Sequence, residues 1–312
     1  MANVIVIGGG FIGLTAAVRL AQAGADVQVW SPVGPERTVS AVAAAVWYPT
    51  RTDFDPRVRA WGRASYDEFT RQARAGVPGL LLRPTRNLEH AGGDEMPWWA
   101  PPDARIVAGT GPYRREIRFT APLAEPAVYL PWLESQVTVR RRAVRRLSDA
   151  LAEAPVVVNA TGLAAGRLAG DDAVYPARGQ IVLVRNPGLD TSVRAEASRA
   201  DGMSAYVHPR TGDVVLGGTF EVGATGLEPD PATRDAIVAR CTALVPELAG
   251  APILGEKVGL RPCRRGGPRV ERDGAVVHAY GHGGAGMTLS WGTADEVTRL
   301  ALAGRAGRGK GD

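Results

Sequence analysis

The sequence has few of the residues that disulfide-bonded, metal-binding or membrane-spanning proteins need. It contains two cysteines, Cys241 and Cys263, and four histidines among 312 residues. Two cysteines do not make a disulfide framework, and no histidine lies at metal-ligand spacing from another. No apolar run approaches the roughly 18 residues of a membrane span, and the N-terminal apolar stretch is too short for a signal peptide. We therefore expect a metal-free cytoplasmic protein that contacts no membrane.

The sequence also has no large excess of charge of one sign. The 37 basic and 32 acidic residues give a net charge of +5, and this charge is spread along the chain. The densest basic run, residues 138–147, has no interleaved aromatic side chains, which favours a solvated strand edge, and we expect no nucleic-acid partner. The sequence does have a hydrophobic fraction of 45%, which is enough for a sizeable core, and its length favours about two domains.

The N-terminus has the pattern of a dinucleotide-binding turn. An apolar strand at residues 4–7 runs into Gly8, Gly10 and Gly13, and a helical pattern and a second strand follow. At this spacing the first glycine allows a sharp turn, the second allows backbone to approach a pyrophosphate, and the third allows the helix to pack on the strand. A purely structural turn would have the same glycines, but the complete βαβ context favours a dinucleotide site.

Two features after this turn narrow the type of cofactor. Sites for NAD have an acidic residue about 20 residues after the turn, where it binds the ribose hydroxyls. Ser31 is at the aligned position, eighteen residues after Gly13, so a plain NAD site is disfavoured. Residues 38–49 are rich in small side chains, as a backbone that approaches a flat ligand requires. A tightly packed alanine helix is the alternative for this stretch.

The C-terminal part has the same order of strand, glycine loop and helix as the N-terminus. Residues 275–280 predict a strand, which is followed by a glycine loop at 281–286 and a helix. Between the two ends, eight prolines interrupt residues 78–130, and this part favours a mainly antiparallel region. We therefore predict an α/β fold that combines a discontinuous, Rossmann-like cofactor domain (residues 1–50, 140–185 and 262–312) with an α+β substrate domain (residues 51–139 and 186–261).

The stretch YGHGGAGMTLSWG at residues 280–292 resembles the signature of the D-amino-acid oxidase family. Four shorter stretches resemble other blocks of that family, in family order: VIGGGFIGL at 6–14, VWYP at 46–49, VNATG at 158–162 and GLRP at 259–262. The resemblance implies noncovalent FAD in an extended pose. It also implies oxidation of D-amino acids by hydride transfer from the α-carbon to the flavin, with O2 reduced to hydrogen peroxide.

The resemblance also implies which residues bind the substrate. Arg261 matches the arginine that holds the substrate carboxylate, a task for which its planar fork is suited. Tyr206 matches a tyrosine whose hydroxyl meets the same carboxylate, and the carbonyl of Gly284 is expected to accept from the substrate amine. Without the family match, Arg261 would be read as a surface residue in an ion pair. No residue is expected to act as a general acid or base.

The FAD contacts implied by the resemblance come from four stretches: the N-terminal turn and its second strand, the small-residue stretch, residues 161–163, and the second glycine loop with Arg261. These residues are Gly8, Gly10, Phe11, Ile12, Gly13, Ser31, Thr38, Ser40, Ala44, Ala45, Val46, Thr161, Gly162, Leu163, Arg261, Gly283, Gly284, Ala285, Gly286, Met287 and Thr288.

The sequence departs from the family pattern in ways that bear on the substrate. A second active-site tyrosine often lies on a lid before Tyr206, whereas residues 201–204 read Asp-Gly-Met-Ser, so a short or absent lid is expected. No further arginine or histidine is clearly placed for a side-chain carboxylate, which favours neutral or apolar D-amino acids. The alternatives are a glycine or sarcosine oxidase, or a flavin- or nucleotide-binding redox module without turnover. Small homo-oligomers are common in the family, but no heptad or apolar stripe indicates one here.

Overall fold

The computed structural model describes residues 3–49, 56–196 and 204–303. In chain order its strands and helices are β1 (Val4–Ile7), α1 (Phe11–Gln22), β2 (Val27–Ser31), α2 (Pro56–Arg74), β3 (Leu80–Glu89), β4 (Arg105–Ala108), β5 (Arg115–Ala124), α3 (Pro126–Ser135), β6 (Thr138–Arg141), α4 (Leu147–Leu151), β7 (Val156–Asn159), α5 (Ala164–Ala169), β8 (Val174–Val184), β9 (Ser192–Ala195), β10 (Ala205–Pro209), β11 (Val214–Gly217), β12 (Glu221–Val222), α6 (Pro231–Leu244), β13 (Ile253–Arg264), β14 (Arg269–Asp273), β15 (Val276–Tyr280) and α7 (Gly286–Leu302).

A six-stranded sheet joins the two ends of the chain. Its strand order is β14-β15-β7-β1-β2-β6, and all neighbours are parallel except β14 and β15. All four residues of β1 are buried because helices and loops cover both faces of the sheet, as is usual for central parallel strands. Helix α1 follows β1 and packs beside α7, which follows β15. The two strand–glycine–helix units therefore lie side by side in space.

The second sheet has nine strands and is mainly antiparallel. Its order is β12-β8-β11-β10-β9-β3-β5-β4, with β13 paired to the other edge of β8, and only β3 and β9 are parallel neighbours among its described strands. Four apolar clusters support the sheets, and the two largest lie around β1, α1 and α7 and between β8, β10, β11 and α6. The predicted fold class is confirmed. The residue limits of the two domains stay a prediction.

The basic run at residues 138–147 begins in β6, at the edge of the six-stranded sheet. Arg141 pairs with Glu134 at 2.7 Å, and Arg140 and Arg142 both pair with Glu153. The guanidinium carbon of Arg142 also lies 4.0 Å from the centre of the Trp30 ring. The predicted solvated strand edge is confirmed, and three of its arginines pair with acidic neighbours.

The small-residue stretch after β2 does not form an alanine helix. It makes two short 3₁₀ turns, Pro35–Arg37 and Val39–Val42, and then continues without regular secondary structure to a bridge between Val46 and Leu123. We call residues 38–46 the strap, because they cross from the first sheet to the second. The alanine-helix alternative is wrong.

Candidate active site

One elongated cavity of about 600 Å³ lies between the two sheets. Its wall at one end is the turn after β1, and at the other end it is the face of β10 and β13; the strap and the residues around the second glycine loop line its length. Nearly all the residues predicted to bind substrate or cofactor line it: Gly8, Gly10, Phe11, Ile12, Ser31, Thr38, Ser40, Ala44, Ala45, Val46, Thr161, Gly162, Leu163, Tyr206, Arg261, Gly283, Gly284, Gly286, Met287 and Thr288.

The two predicted residues outside this wall are Gly13 and Ala285. Gly13 lies behind the turn, where a Cβ atom would be 2.0 Å from the carbonyl oxygen of Gly8. It therefore lets α1 pack on the turn, which is the role that the spacing predicts for the third glycine. Ala285 is fully buried in the 3₁₀ turn Gly283–Ala285. Its contact with a ligand stays a prediction.

The turn after β1 places the N-terminus of α1 against the cavity. Gly8 has φ +131°, and a Cβ atom there would lie 2.2 Å from the carbonyl oxygen of Ala160. Gly10 occupies the N-cap position and has no side chain to cap the helix, while the N–H of Phe11 donates to Ser40 Oγ at 3.0 Å. Helix N-termini of this kind attract anions through their N–H groups and dipole, so the turn suits a pyrophosphate.

Ser31 lies at the end of β2, as predicted, and is almost fully buried. Its hydroxyl donates to the carbonyl oxygen of Val33 at 2.8 Å. No aspartate or glutamate lines the cavity among the described residues. The described cavity wall therefore has no carboxylate that could bind ribose hydroxyls as in a NAD site, at the end of β2 or on any other strand.

Arg210 holds the strap in place, and the sequence analysis did not identify it. Its side chain is buried, and Nη2 donates to the carbonyl oxygen of Ala43 at 2.8 Å. The arginine follows β10 in the second sheet, so this bond ties the strap to the face that carries Tyr206. Burial lowers the pKa of Arg210, although nearby Asp213 and Glu125 favour its charged form. Buried cations of this kind need such partners.

Arg261 and Tyr206 lie at the far end of the cavity. Arg261 Nη1 donates to the carbonyl oxygen of Arg178 at 3.2 Å, and its guanidinium carbon lies 5.2 Å from the centre of the Phe220 ring. The ring of Tyr206 lies over the Gly217–Gly218 backbone, where a Cβ atom on Gly217 would be 2.1 Å from the ring. Burial raises the pKa of Tyr206 more than Arg261 lowers it, so its hydroxyl is protonated at neutral pH and can donate.

Gly179 makes room for the guanidinium of Arg261. A Cβ atom on Gly179 would lie 2.1 Å from Arg261 Nη1. Because the clash falls on the end of a flexible side chain, we expect Gly179→Ala to move the guanidinium and leave the fold intact. Misplacement of a binding group by about 1 Å can cost up to about 100-fold in rate, and we expect a loss of about tenfold or more in kcat/KM. Steady-state kinetics of Gly179→Ala measure it.

A suitable control for this variant is Gly212→Ala, in the turn between β10 and β11, because a Cβ atom there would meet nothing within 4 Å. Its kinetics should match those of the wild type. Equal losses in the two variants would mean that the space over Gly179 is not what positions Arg261.

The structure brings three further side chains to this end of the cavity. Tyr48, Arg194 and His208 line it together with Tyr206, and none of them was predicted as a site residue. Arg194 and Tyr206 are direct partners in the antiparallel pairing of β9 and β10, while Tyr48 follows the strap. Only this long-range pairing places them together, so neighbouring residues give no signal for it. The predicted lid stretch falls on residues 201–204, of which 201–203 lie outside the described residues.

Asp171 supports the second glycine loop from behind. It accepts hydrogen bonds from Arg264 Nε at 2.8 Å and from the hydroxyl of Tyr280 at 2.9 Å, and Tyr280 is the last residue of β15. Burial alone would raise the pKa of Asp171, but these bonds outweigh it and lower the pKa to about 2. The folded protein therefore favours the charged carboxylate more strongly than the unfolded chain does.

Because folding lowers the pKa of Asp171, its contribution to the free energy of unfolding depends on pH. A depressed carboxylate pKa stabilises the fold above the unfolded value of about 3.9 and loses that effect as pH falls toward 2. We expect Asp171→Asn to lower the free energy of unfolding at pH 7 by about 2 kcal/mol at most, and the difference from wild type to shrink at pH 3. Urea unfolding at the two pH values measures this. Asp172→Asn, at an exposed neighbour, is the control and should change little.

The described residues contain no helix that is long and apolar enough to span a membrane. They also contain no group of three or more histidine, cysteine, aspartate or glutamate side chains that could hold a metal ion. Cys241 and Cys263 are both buried and form no disulfide.

Comparisons with known proteins agree with this geometry. A family model described as FAD dependent oxidoreductase, DAO, matches residues 3–300. The chain is 44% identical over 318 residues to a D-amino-acid oxidase of Streptomyces coelicolor, with 96% of both chains covered. It is 43% identical over 322 residues to a D-amino-acid oxidase of Rubrobacter xylanophilus, again with 96% of both chains covered.

A solved structure, the glycine oxidase from Bacillus cereus, has a similar fold. Its TM-score is 0.78, with 96% of this chain and 97% of that chain covered. The two sequences are 18% identical, so this likeness concerns the fold alone.

Proposed function

This chain belongs to the DAO family of FAD-dependent oxidoreductases, and on that premise we propose that it is a D-amino-acid oxidase. The overall reaction converts a D-amino acid, O2 and water into a 2-oxo acid, ammonia and hydrogen peroxide. Two electrons leave the bond between the α-carbon and its hydrogen and reduce O2. The imino acid formed in this way is then hydrolysed by water.

The residues of the cavity fit FAD. The N-terminus of α1 supplies N–H groups for an anion, the strap and Gly162 offer small side chains beside a flat group, and the cavity is continuous from the turn to Arg261. We propose that the residues predicted from the family pattern hold the cofactor along this path. When bound, FAD supplies the two-electron oxidation and passes the electrons to O2.

The protein's own groups bind and orient the substrate. Arg261 offers a planar fork of N–H donors to the α-carboxylate, and the protonated hydroxyl of Tyr206 adds another donor. The carbonyl oxygen of Gly284, in the turn before α7, accepts from the substrate amine. We propose that these three groups fix the α-carbon in one orientation, and that no side chain needs to act as an acid or base.

The continuity of the cavity is the observation that carries this proposal. The N-terminus of α1 and Arg261 line the same cavity, which suits an extended cofactor that reaches from a phosphate-binding turn toward the substrate. Two buried cysteines that form no disulfide support a cytoplasmic location, which we propose together with a small-molecule substrate. The oligomeric state stays a prediction.

Peroxide release from the purified holoprotein tests the function. We expect turnover with one or more D-amino acids, and little with L-amino acids, glycine or sarcosine. Preferred turnover of glycine or sarcosine would support the alternative oxidase. A colourless protein without turnover after addition of FAD would support a nucleotide-binding module.

A further inference from the structure

A second arginine lies beside the proposed carboxylate site. Arg194 lines the cavity, and its guanidinium carbon is 4.0 Å from the centre of the Tyr48 ring and 5.7 Å from that of Tyr206. Since Arg194 and Tyr206 are paired residues of β9 and β10, their side chains lie on the same face of the sheet. The aromatic contact restricts where the guanidinium can lie.

His208 lies two residues after Tyr206 in β10 and is almost completely buried. Its ring stacks on that of Tyr206, with centres 5.0 Å apart and planes 15° apart. His208 lines the same cavity, and its Nδ1 atom has no hydrogen-bond partner among the described residues. Burial, together with Arg194 and Arg210, holds the pKa of His208 well below its usual range. Since this nitrogen has almost no exposed surface, we assign His208 no ligand contact; its role is to hold the ring of Tyr206 by stacking.

The charges of the cavity wall have one sign. Its described lining includes Arg194 and Arg261 but no aspartate, glutamate or lysine. Glu89 and Glu196 are close enough to Tyr48 to raise its pKa, but neither lines the cavity. Arg194, which does line it, lowers that pKa. A guanidinium has five N–H donors, so Arg194 can contact protein and still donate to a ligand. The two arginines therefore provide two places for carboxylates at the substrate end.

We propose that Arg194 binds a carboxylate on the substrate side chain, so that acidic D-amino acids are substrates. This inference rests on the proposed oxidation of D-amino acids and names the side-chain chemistry that the site accepts. Arg261 binds the α-carboxylate, and Tyr206 lies between the two arginines. The expectation of neutral or apolar side chains depended on finding no second basic group here, and the position of Arg194 removes that basis.

Substrate panels for Arg194→Met test this assignment. We expect wild-type kcat/KM for D-aspartate or D-glutamate to be at least about a tenth of that for D-valine. Loss of a charge-assisted pair costs about 2 kcal/mol, so the variant should lose about 30-fold on the acidic substrate. The ratio of kcat/KM for the acidic substrate to that for D-valine should fall by at least about tenfold. Arg194→Lys should retain part of the acidic turnover, and Arg185→Met, at an exposed arginine after β8, should behave as wild type.

Inhibition constants give a second measurement that does not depend on turnover. Succinate should compete more strongly than butyrate in the wild type, and Arg194→Met should abolish that preference. Equal losses on D-valine and the acidic substrate would overturn the inference, because they indicate a merely structural role. Turnover of D-valine without any turnover of acidic D-amino acids would also overturn it and leave the proposed function intact. Failure of every D-amino acid would instead count against the proposed function.

Discussion

Replacement of Arg261 by methionine is expected to lower kcat/KM for D-amino acids by about 100- to 1,000-fold. Removal of one partner of a close charged pair costs about 2 to 5 kcal/mol, and each 1.4 kcal/mol is about tenfold. The guanidinium has few protein partners: it donates to the carbonyl oxygen of Arg178 and lies 5.2 Å from the Phe220 ring. The loss should therefore fall mainly on substrate binding, and because Arg261 is also a predicted FAD contact, the kinetics are measured on protein saturated with FAD.

The matched control is Arg265→Met, four residues further along the chain at an exposed position. Its kinetics should be close to those of the wild type. Arg261→Lys should recover only part of the activity, because an ammonium cannot reproduce a planar, two-donor grip. If Arg261→Met changed kcat/KM by less than about fivefold, the carboxylate would have to bind elsewhere.

Replacement of Gly13 by alanine should weaken FAD binding by about 100-fold. The new Cβ atom would lie 2.0 Å from the carbonyl oxygen of Gly8, and backbone cannot move aside as the end of a side chain can. Overpacking of this kind costs about 1 to 3 kcal/mol, and here it shifts α1 relative to the turn that binds the pyrophosphate. Titration of apoprotein with FAD, followed by fluorescence, measures the change.

Gly255→Ala is the control for this variant, because a Cβ atom at Gly255 would meet nothing within 4 Å. It should bind FAD like the wild type. Unchanged affinity in Gly13→Ala would show that the contact between α1 and the turn does not matter for the cofactor.

The features that depend on neighbouring residues could be predicted from the sequence. Gly8, Gly10 and Gly13 lie within six residues of one another, and each has a steric task that glycine spacing encodes. The strand and glycine loop before α7 could be predicted in the same way. These two strand–glycine–helix units specify the first sheet and one end of the cavity. The strap was ambiguous, since its alanines suit a helix as well as an extended chain. Its bridge from Val46 to Leu123 settles the conformation.

The features that depend on strand pairing could not be predicted. Arg194 lies in the four-residue strand β9, and nothing in that strand indicates a ligand. Its importance comes from the register with Tyr206 and from the contact with Tyr48, which is distant in sequence. Arg210 was missed for a similar reason, because its bond reaches Ala43 in the strap. Sequence patterns specify faces and turns, whereas register between distant strands decides which side chains meet.

Anaerobic mixing of the purified holoprotein with D- and L-amino acids tests directly whether this chain oxidises D-amino acids. We expect the flavin absorbance to be bleached by a D-amino acid and restored when O2 is admitted, with release of hydrogen peroxide. The matching L-isomer should leave the spectrum unchanged. Bleaching by L-isomers alone, or by no amino acid in a protein with full FAD content, would contradict it.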